Sequence, residues 1–351
     1  MSYPMLEIKL DVIKNNVKTV NSLCNKHDID VTGVTKVFSA APPIVQAYID
    51  GGLKRVGDAR IENLKKVKNL DVEKWLIRVP AISQSEDVVR HSDVSMNSEM
   101  TTILALNKAA QKQNKKHKVI LMLDLGDLRE GYINSEELLK VADKIKALPY
   151  IILYGVGTNL SCFSFVLPTE EKMTILKKLA IKLPIKEPVV SGGNSATLKL
   201  MMDGGIPSGV NNMRLGESLL FGKERCNYTF LKGTRRDAFI LNAEVVELKE
   251  KPSVPWGKVG VDSYGIRPKK PIDMGIVNRA ILSIGKLDCD IATMHPVDPN
   301  VEIIGASSDY LILSITNNKQ DYHVGSIIQF ELGYFSLMRS IMSEYVTKNY
   351  I

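Results

Sequence analysis

Hydrophobic residues alternate along the chain between short runs rich in β-branched side chains and longer stretches with helical periodicity, among them residues 98–113, 135–147 and 169–183. The short runs predicted as strands are residues 31–36, 54–57, 75–79, 93–97, 118–125, 150–157, 188–191 and 211–215. Strand–helix repeats imply parallel pairing with helical crossovers. Eight such units predict a closed (β/α)8 TIM barrel. An open doubly wound sheet is the alternative, although no predicted strand is followed by GxGxxG.

The helical periodicity fades after about residue 221, and short apolar runs are then separated by Gly, Pro, Asn and Asp. These runs are residues 238–248, 279–284, 302–305, 310–315 and 326–331. The pattern predicts a C-terminal all-β domain. We therefore expect a barrel over residues 1–225 and a β domain over residues 226–351.

Composition narrows the class of protein. The chain has 351 residues and a formal net charge of +7, with 44% hydrophobic and 24% charged residues. The lysine-rich stretches at 65–68 and 111–118 carry no interleaved aromatic residues, so we expect solvated helix faces and no nucleic-acid binding. Residues 1–10 do not have the pattern of a secretory signal, and no apolar run is long enough to cross a bilayer. The isolated cysteines suggest neither a disulfide framework nor a metal site; they are Cys24, Cys162, Cys226 and Cys289. We expect a reduced, cytoplasmic protein.

Lys36 stands at the end of the first predicted strand, just before a break at Ala41, Pro42 and Pro43. Lysine is rarely buried unless it is paired or functional. A desolvated lysine amine is nucleophilic and can form a Schiff base. The alternative is a lysine that extends to solvent from the strand end.

The carboxyl ends of the strands carry the chemistry in barrels of this architecture. Polar and charged residues follow most of the predicted strands here. They are Lys36, Asp58, Arg60, Asn97, Asp124, Arg129, Thr158, Asn159, and the segments 191–195 and 214–218.

The segment from Ser191 to Ser195 is glycine-rich, and it precedes a predicted helix. Such a loop after strand seven suits a phosphate, although a plain turn with Asn194 or Ser195 as helix cap explains it equally well. Arg214 needs a partner, which is either an acid such as Glu217 or a ligand. Arg129 lies next to Glu130 and is either a surface residue or a second ligand contact. Together with a strand-end lysine, these features point to pyridoxal 5'-phosphate.

Several segments resemble the pyridoxal-phosphate amino-acid racemases of the alanine racemase fold, and within them the ornithine racemase branch. The segments are DARIENL at 58–64, SMNSE at 95–99, LDLGDLREGY at 123–132, SGGNS at 191–195, RLGES at 214–218 and IGASSD at 304–309. They span nearly the whole chain, and their order makes the resemblance specific. The resemblance implies a racemase that joins a (β/α)8 barrel to a C-terminal β domain and works as a homodimer with shared active sites.

The resemblance also implies roles for individual residues. Lys36 would bind the cofactor covalently, Arg214 would face its pyridine nitrogen, and Arg129 would approach its ring hydroxyl. Asn159 stands where the alanine enzymes place a histidine over the ring. The residues implied at the phosphate or beside it are Ser191, Asn194, Ser195, Gly216 and Tyr334.

Racemisation needs one base on each face of the planar intermediate. Lys36 would serve one face, and in the alanine enzymes a tyrosine of the partner subunit's second domain serves the other. That tyrosine is missing from the aligned position here, and Tyr264, three residues later, is the candidate second base. Met122 replaces a lysine that is often modified in the alanine enzymes. These departures argue against a strict alanine specialist.

The resemblance ranks ornithine first among basic amino acids as the substrate. An ammonium side chain needs a carboxylate or carbonyl partner. Asp288 and Asp309 are candidates, with Ser308 beside them, and a solvated acidic turn is the alternative for each. The other functions considered are an alanine or broad-specificity racemase, a barrel lyase of the D-threonine aldolase type that needs a metal, a decarboxylase, and a cofactor-binding barrel without enzymatic activity.

Overall fold

The computed structural model describes residues 2–261, 265–267, 272–316 and 320–351. The chain divides into two compact units. One is Lys9–Ala238, and the other combines Met1–Ile8 with Phe239–Ile351. Each unit is described by itself.

The first unit contains a closed barrel of eight parallel strands, which pair in the order β2-β3-β4-β5-β6-β7-β8-β9. They are β2 (Asp30–Val34), β3 (Arg55–Asp58), β4 (Glu73–Leu76), β5 (Val94–Asn97), β6 (His117–Met122), β7 (Ile151–Gly157), β8 (Val189–Ser191) and β9 (Asn212–Leu215). Every strand predicted for the barrel is present, and the (β/α)8 prediction is confirmed. The predicted strands extend beyond the observed carboxyl ends of β2, β4 and β6.

Helices follow the barrel strands, and their apolar faces cover the outside of the barrel. They are α1 (Leu10–Asn25), α2 (Pro42–Asp50), α3 (Ile61–Lys66), α4 (Ser85–His91), α5 (Met100–Lys112), α6 (Ser135–Ile145), α7 (Glu170–Ile181), α8 (Thr197–Met202) and α9 (Glu217–Phe221). Asn134 caps α6, since its side chain accepts a 2.7 Å hydrogen bond from the amide of Glu136. The three helices predicted from periodicity are confirmed as α5, α6 and α7.

Side chains alternate along the barrel strands between two hydrophobic clusters. Val119 and Leu121 of β6 pack with the helices, whereas Ile120 and Met122 pack with Trp75 and other strand residues inside the barrel. Both sets are buried, so the strands read in the sequence as continuous apolar runs.

The second unit is a largely antiparallel sheet. Its strands are β1 (Met5–Ile8), β10 (Phe239–Pro252), β11 (Ile276–Leu282), β12 (Met294–Pro296), β13 (Glu302–Ala306), β14 (Leu311–Ser314), β15 (Ile327–Leu332) and β16 (Thr347–Tyr350). All five runs predicted there form strands. Strand β1 was not predicted; it pairs antiparallel with β10 and parallel with β16. The helix α10 (Tyr334–Met342) was not predicted either.

Three further findings concern the chain as described. No helix among the described residues is long and apolar enough to span a membrane. All four cysteines are described, and none forms a disulfide. The described residues contain no cluster of three or more His, Cys, Asp or Glu side chains that could hold a metal ion.

Candidate functional site

Lys36 follows β2 and begins a short 3-10 turn, Lys36–Phe38. The expectation that it ends a buried strand is wrong, since β2 stops at Val34 and the Lys36 side chain is exposed. The strand ends early because Thr35 leaves the extended conformation, with φ of −104° and ψ of −4°. The turn presents the amine beyond the carboxyl end of β2.

Two buried carboxylates interact electrostatically with Lys36, namely Asp58 at the end of β3 and Glu217 at the start of α9. Burial raises the pKa of each carboxyl, and the positive charge of Lys36 opposes that effect. The sequence analysis noted Asp58 as following a strand and Glu217 as a possible partner of Arg214, but it connected neither residue with Lys36. Their common surroundings place them at the same edge of the barrel as Lys36.

Arg214 lies on β9 with only 4% of its surface exposed. Its guanidinium donates hydrogen bonds of 2.6 Å to the Ser191 hydroxyl and 2.7 Å to the Thr158 carbonyl. Burial lowers the pKa of Arg214 to about 10. The side chain is therefore a buried cation whose hydrogen-bond partners in the described chain are neutral oxygens.

The interpretation of Arg214 as the partner of Glu217 is wrong. Glu217 lies instead 3.4 Å from Arg225 Nε and 3.9 Å from Lys223 Nζ. Its carboxylate points toward these two cations because they flank the C-terminal end of α9. Arg214 is left without a carboxylate within ion-pair distance among the described residues.

Arg129 forms a bidentate pair with the neighbouring Glu130, and its Nη2 donates to Glu130 Oε1 at 2.5 Å. The pairing raises the pKa of Arg129. Arg129 and Glu130 also lie within the electrostatic environment of Arg214. The backbone of this loop is fixed by Asp124, whose carboxylate accepts from the amides of Gly126, at 2.8 Å, and Arg129, at 3.1 Å.

Asn194 and Asn159 meet beside this loop. Asn194 Nδ2 donates to Asn159 Oδ1 at 3.2 Å and to the Leu160 carbonyl at 2.7 Å. Asn194 Oδ1 accepts from the Ala196 amide at 2.9 Å and forms a local turn, but Ala196 is the N-cap of α8 and neither Asn194 nor Ser195 caps this helix. Asn159 Nδ2 and Thr158 Oγ1 are buried, and neither has a hydrogen-bond partner among the described residues.

The glycine-rich loop then continues to Ser195. Gly193 has φ of 111°, and a Cβ there would lie 2.7 Å from Thr197 Oγ1, so this position requires glycine. Ser195 Oγ lies 3.2 Å from Ser218 Oγ, which joins the loop to the start of α9. Gly216 immediately precedes α9, where a Cβ would lie 3.2 Å from Val34 Cβ.

Asp127 was missed by the sequence analysis and joins two loops of the site. Its buried carboxylate accepts hydrogen bonds from three successive amides of the neighbouring loop, those of Cys162, Phe163 and Ser164, at 3.0–3.2 Å. The Ser164 hydroxyl donates to the Asp127 carbonyl at 2.8 Å. A pattern of buried aspartate and backbone donors leaves no signal in the sequence, because the partners are about 35 residues apart.

The remaining candidates lie in the second unit. Asp288 and Asp309 line one pocket of about 270 Å³ together with Tyr310. Asp288 is 8% exposed and accepts a 2.6 Å hydrogen bond from the Ser343 hydroxyl. The exposed Asp309 accepts a 2.5 Å hydrogen bond from Ser308.

Tyr334 begins α10 in the same unit and packs edge-to-face on Phe335, with ring centroids 5.2 Å apart. Tyr264, the candidate second base, lies outside the described residues. The candidate site residues thus lie partly in the barrel and partly in the second unit.

The residues of the barrel edge fit pyridoxal 5'-phosphate. Arg214 is a buried cation with neutral partners, so it can take a ring nitrogen as a further acceptor. The buried, unpartnered Asn159 Nδ2 and Thr158 Oγ1 offer a donor and a hydroxyl to a polar ligand. The Lys36 side chain is exposed, and a lysine amine can condense with an aldehyde.

Comparisons with known proteins agree with this geometry. Residues 8–224 match the family model described as "Alanine racemase, N-terminal domain". The chain is 41% identical over 350 residues to an ornithine racemase from Acetoanaerobium sticklandii, covering 99% of each protein. It is 34% identical over 356 residues to a lysine racemase from Thermotoga maritima, covering 100% of this chain and 99% of that protein.

Solved structures show the same fold. An alanine racemase from Clostridium difficile 630 superposes with a TM-score of 0.76 at 20% identity, covering 100% of this chain and 96% of that one. An alanine racemase from Bartonella henselae with covalently bound pyridoxal phosphate gives a TM-score of 0.70 at 18% identity, covering 99% of each chain. The resemblance inferred from the sequence motifs is confirmed, and the chain belongs to the alanine racemase family.

Proposed function

We propose that this protein is a pyridoxal-phosphate-dependent racemase that interconverts the L- and D-enantiomers of a basic amino acid, with ornithine as the first candidate. The observation that carries the proposal is Arg214, a buried guanidinium held by the Ser191 hydroxyl and the Thr158 carbonyl. When bound, the cofactor supplies an electron sink that acidifies the α-proton of an amino acid. A permanent cation at the ring nitrogen disfavours protonation of the ring, which leaves removal and return of the proton as the main outcome.

Lys36 is proposed to bind the cofactor and then to act as the base on one face of the substrate. Its amine takes the α-proton of one enantiomer, and in the reverse direction its ammonium donates a proton to the same face. Tyr264 is proposed to serve the opposite face in the same way. Return of the proton from the face opposite to its removal inverts the configuration.

The other barrel residues are proposed to orient the cofactor. Asn194, Ser195 and Gly216 would bind its phosphate, and Tyr334 of the second unit would add a hydroxyl. Asn159 would lie against the ring and Arg129 near its hydroxyl. Support comes from the unpartnered Asn159 Nδ2 and from the glycine requirement at Gly193 beside Asn194.

The side-chain ammonium of the substrate is proposed to bind in the pocket lined by Asp288 and Asp309, with Ser308 hydrogen-bonded to Asp309. Two carboxylates line this pocket, and Asp309 is exposed and therefore accessible to a cation. The relatives named as ornithine racemase and lysine racemase both act, by name, on amino acids with a terminal ammonium. A neutral alanine side chain would gain nothing from such a pocket.

A homodimer is proposed as the active form. The loop fixed by Asp127 exposes Phe163 and Phe165 to 64% and 73%. Large exposed aromatic residues beside a site are typical of a surface that a partner covers. A second subunit is also where the family resemblance places the base for the second face. An active monomer, measured by light scattering under assay conditions, would rule out shared sites.

The activity is tested by proton exchange in heavy water. The purified protein with added pyridoxal phosphate is incubated with L-ornithine, L-lysine, L-alanine and L-serine. The α-proton is followed by NMR, and the enantiomers are separated by chiral chromatography. We expect deuterium at the α-carbon and the D-isomer of one basic amino acid.

Lys36→Ala is the control variant, and it should show neither exchange nor borohydride-stable attachment of the cofactor. Retention of the α-proton in every amino acid of the panel would contradict the racemase proposal and favour a cofactor-binding protein. Exchange with release of an aldehyde would instead identify a lyase.

A further inference from the structure

The turn that carries Lys36 is fastened to the neighbouring strand by one carboxylate. Thr35, the residue directly before Lys36, donates from its hydroxyl to Asp58 Oδ2 at 2.6 Å. The Thr35 amide donates to the Gly57 carbonyl at 2.9 Å. Both Thr35 and Asp58 are 0% exposed. Lys36 therefore follows a residue whose side chain and backbone amide are both hydrogen-bonded to the end of β3.

The second oxygen of Asp58 has a different role. Oδ1 accepts from the Arg60 amide at 2.8 Å and from Asn63 Nδ2 at 3.1 Å, which shapes the entry to α3. An asparagine at position 58 would accept these two bonds as well, because its carbonyl oxygen has the same geometry. The turn before α3 therefore explains one oxygen of Asp58 and does not explain its charge.

Asp58 and Glu217 also differ in whether an ion pair compensates their charge. Glu217 lies within 4 Å of two cations, Arg225 and Lys223. Asp58 forms no comparable ion pair in the described part of the chain, and its bonded donors are a hydroxyl, an amide group and a side-chain amide. The cation that does act on it electrostatically is Lys36. A buried carboxylate is costly unless its charge has such a counterpart.

We propose that Asp58, acting through Thr35, is a positioning residue for Lys36. The hydrogen bond holds the turn in place, and the buried carboxylate interacts electrostatically with the lysine that the turn carries. This inference deepens the proposed racemase function and rests on it. Lys36 Nζ takes the α-proton when one enantiomer reacts and donates a proton to the same face when the other enantiomer reacts, while Asp58 gains no proton.

Four variants of the full-length protein separate the possible roles. Asp58→Asn removes the charge and keeps an acceptor oxygen. Thr35→Val removes the bridging hydroxyl and keeps the charge, and Thr35→Ser restores the hydroxyl. Asn63→Ala is the matched control, since it removes a bond to the same carboxylate on the side of α3.

Two measurements need no cofactor and no activity. The first is the rate of acetylation of Lys36 at neutral pH, read by peptide mass spectrometry. We expect Asp58→Asn to change this rate about threefold or more, because the turn that presents the amine loses its carboxylate anchor. The second is hydrogen–deuterium exchange over residues 36–40, which should rise about tenfold in Thr35→Val and return to the wild-type rate in Thr35→Ser.

Kinetics of the cofactor-loaded enzyme supply a third measurement. In Asp58→Asn and Thr35→Val we expect kcat for α-proton exchange to fall about tenfold with KM changed less than twofold. Asn63→Ala should match the wild type in all three measurements.

The inference is overturned if Lys36 in Asp58→Asn is acetylated at the wild-type rate, or if Asn63→Ala reproduces the effects of Asp58→Asn. If Asp58→Asn does not fold, equal deuterium exchange in Thr35→Val and Thr35→Ser overturns it instead. Loss of α-proton exchange in the wild type itself would contradict the racemase proposal alone, because acetylation and deuterium exchange still report on Asp58.

Discussion

Arg214 donates a 2.6 Å hydrogen bond to the hydroxyl of Ser191 on the neighbouring strand. The same hydroxyl donates to Asn212 Oδ1 at 2.5 Å, and Asn212 Nδ2 donates to Thr32 Oγ1 at 3.0 Å. A series of hydrogen bonds between neutral groups of β8, β9 and β2 thus orients the guanidinium. Because no acid neutralises Arg214 within this chain of contacts, its charge remains available to a ligand.

Replacing Ser191 with alanine should therefore weaken both the fold and cofactor binding. Loss of the hydroxyl leaves Arg214 and Asn212 each short of a buried partner, which costs about 1–3 kcal/mol in the free energy of unfolding. The misoriented guanidinium should also reduce the extra stability that added pyridoxal phosphate confers. Urea denaturation with and without the cofactor measures both effects.

The matched control for this prediction is Ser92→Ala. Ser92 is also a buried serine, and its hydroxyl donates to the Val88 carbonyl at 2.6 Å, within a helix end away from the site. It should lower stability without changing the increment due to cofactor. An equal loss of that increment in both variants would contradict the role given to Ser191.

Asp127 should control the order of the loop that exposes Phe163 and Phe165. Its carboxylate bonds three amides of that loop, so Asp127→Ala leaves them without acceptors. We expect hydrogen–deuterium exchange over residues 159–167 to rise about tenfold and KM to increase several-fold, with little change in the barrel strands. Asp143→Asn, at an exposed helix position, is the control. Unchanged exchange in the loop would show that other contacts fix it.

The sequence was sufficient for the elements that a local pattern of apolar residues indicates. The strands of the barrel appear as short continuous apolar runs, because both of their faces are buried, and the helices α5, α6 and α7 appear as periodic ones. Strand β1 escaped prediction because it has four residues and its partners, β10 and β16, lie more than two hundred residues away. Its place in the second unit depends on pairing that no local window contains.

In the site, too, some features could be predicted from the sequence and others could not. Residues at strand ends could be found because the barrel architecture places them at one edge. The partners of those residues could not, since the nearest acid in sequence to Arg214 is Glu217, which pairs elsewhere. The bond between Thr35 and Asp58 joins two loops 23 positions apart, and only the folded geometry reveals it.

His117 should make the protein sensitive to acid. It is 0% exposed, its Nε2 lies 2.8 Å from Ser95 Oγ, and its Nδ1 has no partner among the described residues. Burial lowers the pKa of His117 from 6.5 to about 3. Because the folded-state pKa is below the unfolded value, stability is complete above about pH 6.5 and is lost progressively as pH falls toward 3.

The expected size follows from the linkage relation. Between pH 6.5 and pH 4.5, His117 should cost about 2–3 kcal/mol of unfolding free energy. Urea denaturation at the two pH values, compared between the wild type and His117→Gln, isolates this contribution. His27→Gln, at an exposed site, serves as control. An identical pH dependence in the wild type and His117→Gln would contradict the assignment.

Asp309 should determine the preference for a side-chain ammonium. Its exposed carboxylate lies in the same pocket as the buried Asp288, and an ammonium bound there would form a charge-assisted hydrogen bond. Asp309→Asn should therefore raise KM for ornithine about tenfold, the loss expected for one such bond. The KM for alanine, if it is turned over, should change little because its methyl group cannot use the carboxylate. Glu302→Gln removes a charge from an exposed position of the same sheet and should leave both KM values unchanged. Equal effects of Asp309→Asn on ornithine and alanine would mean that the pocket shapes the fold of this unit and does not select the substrate.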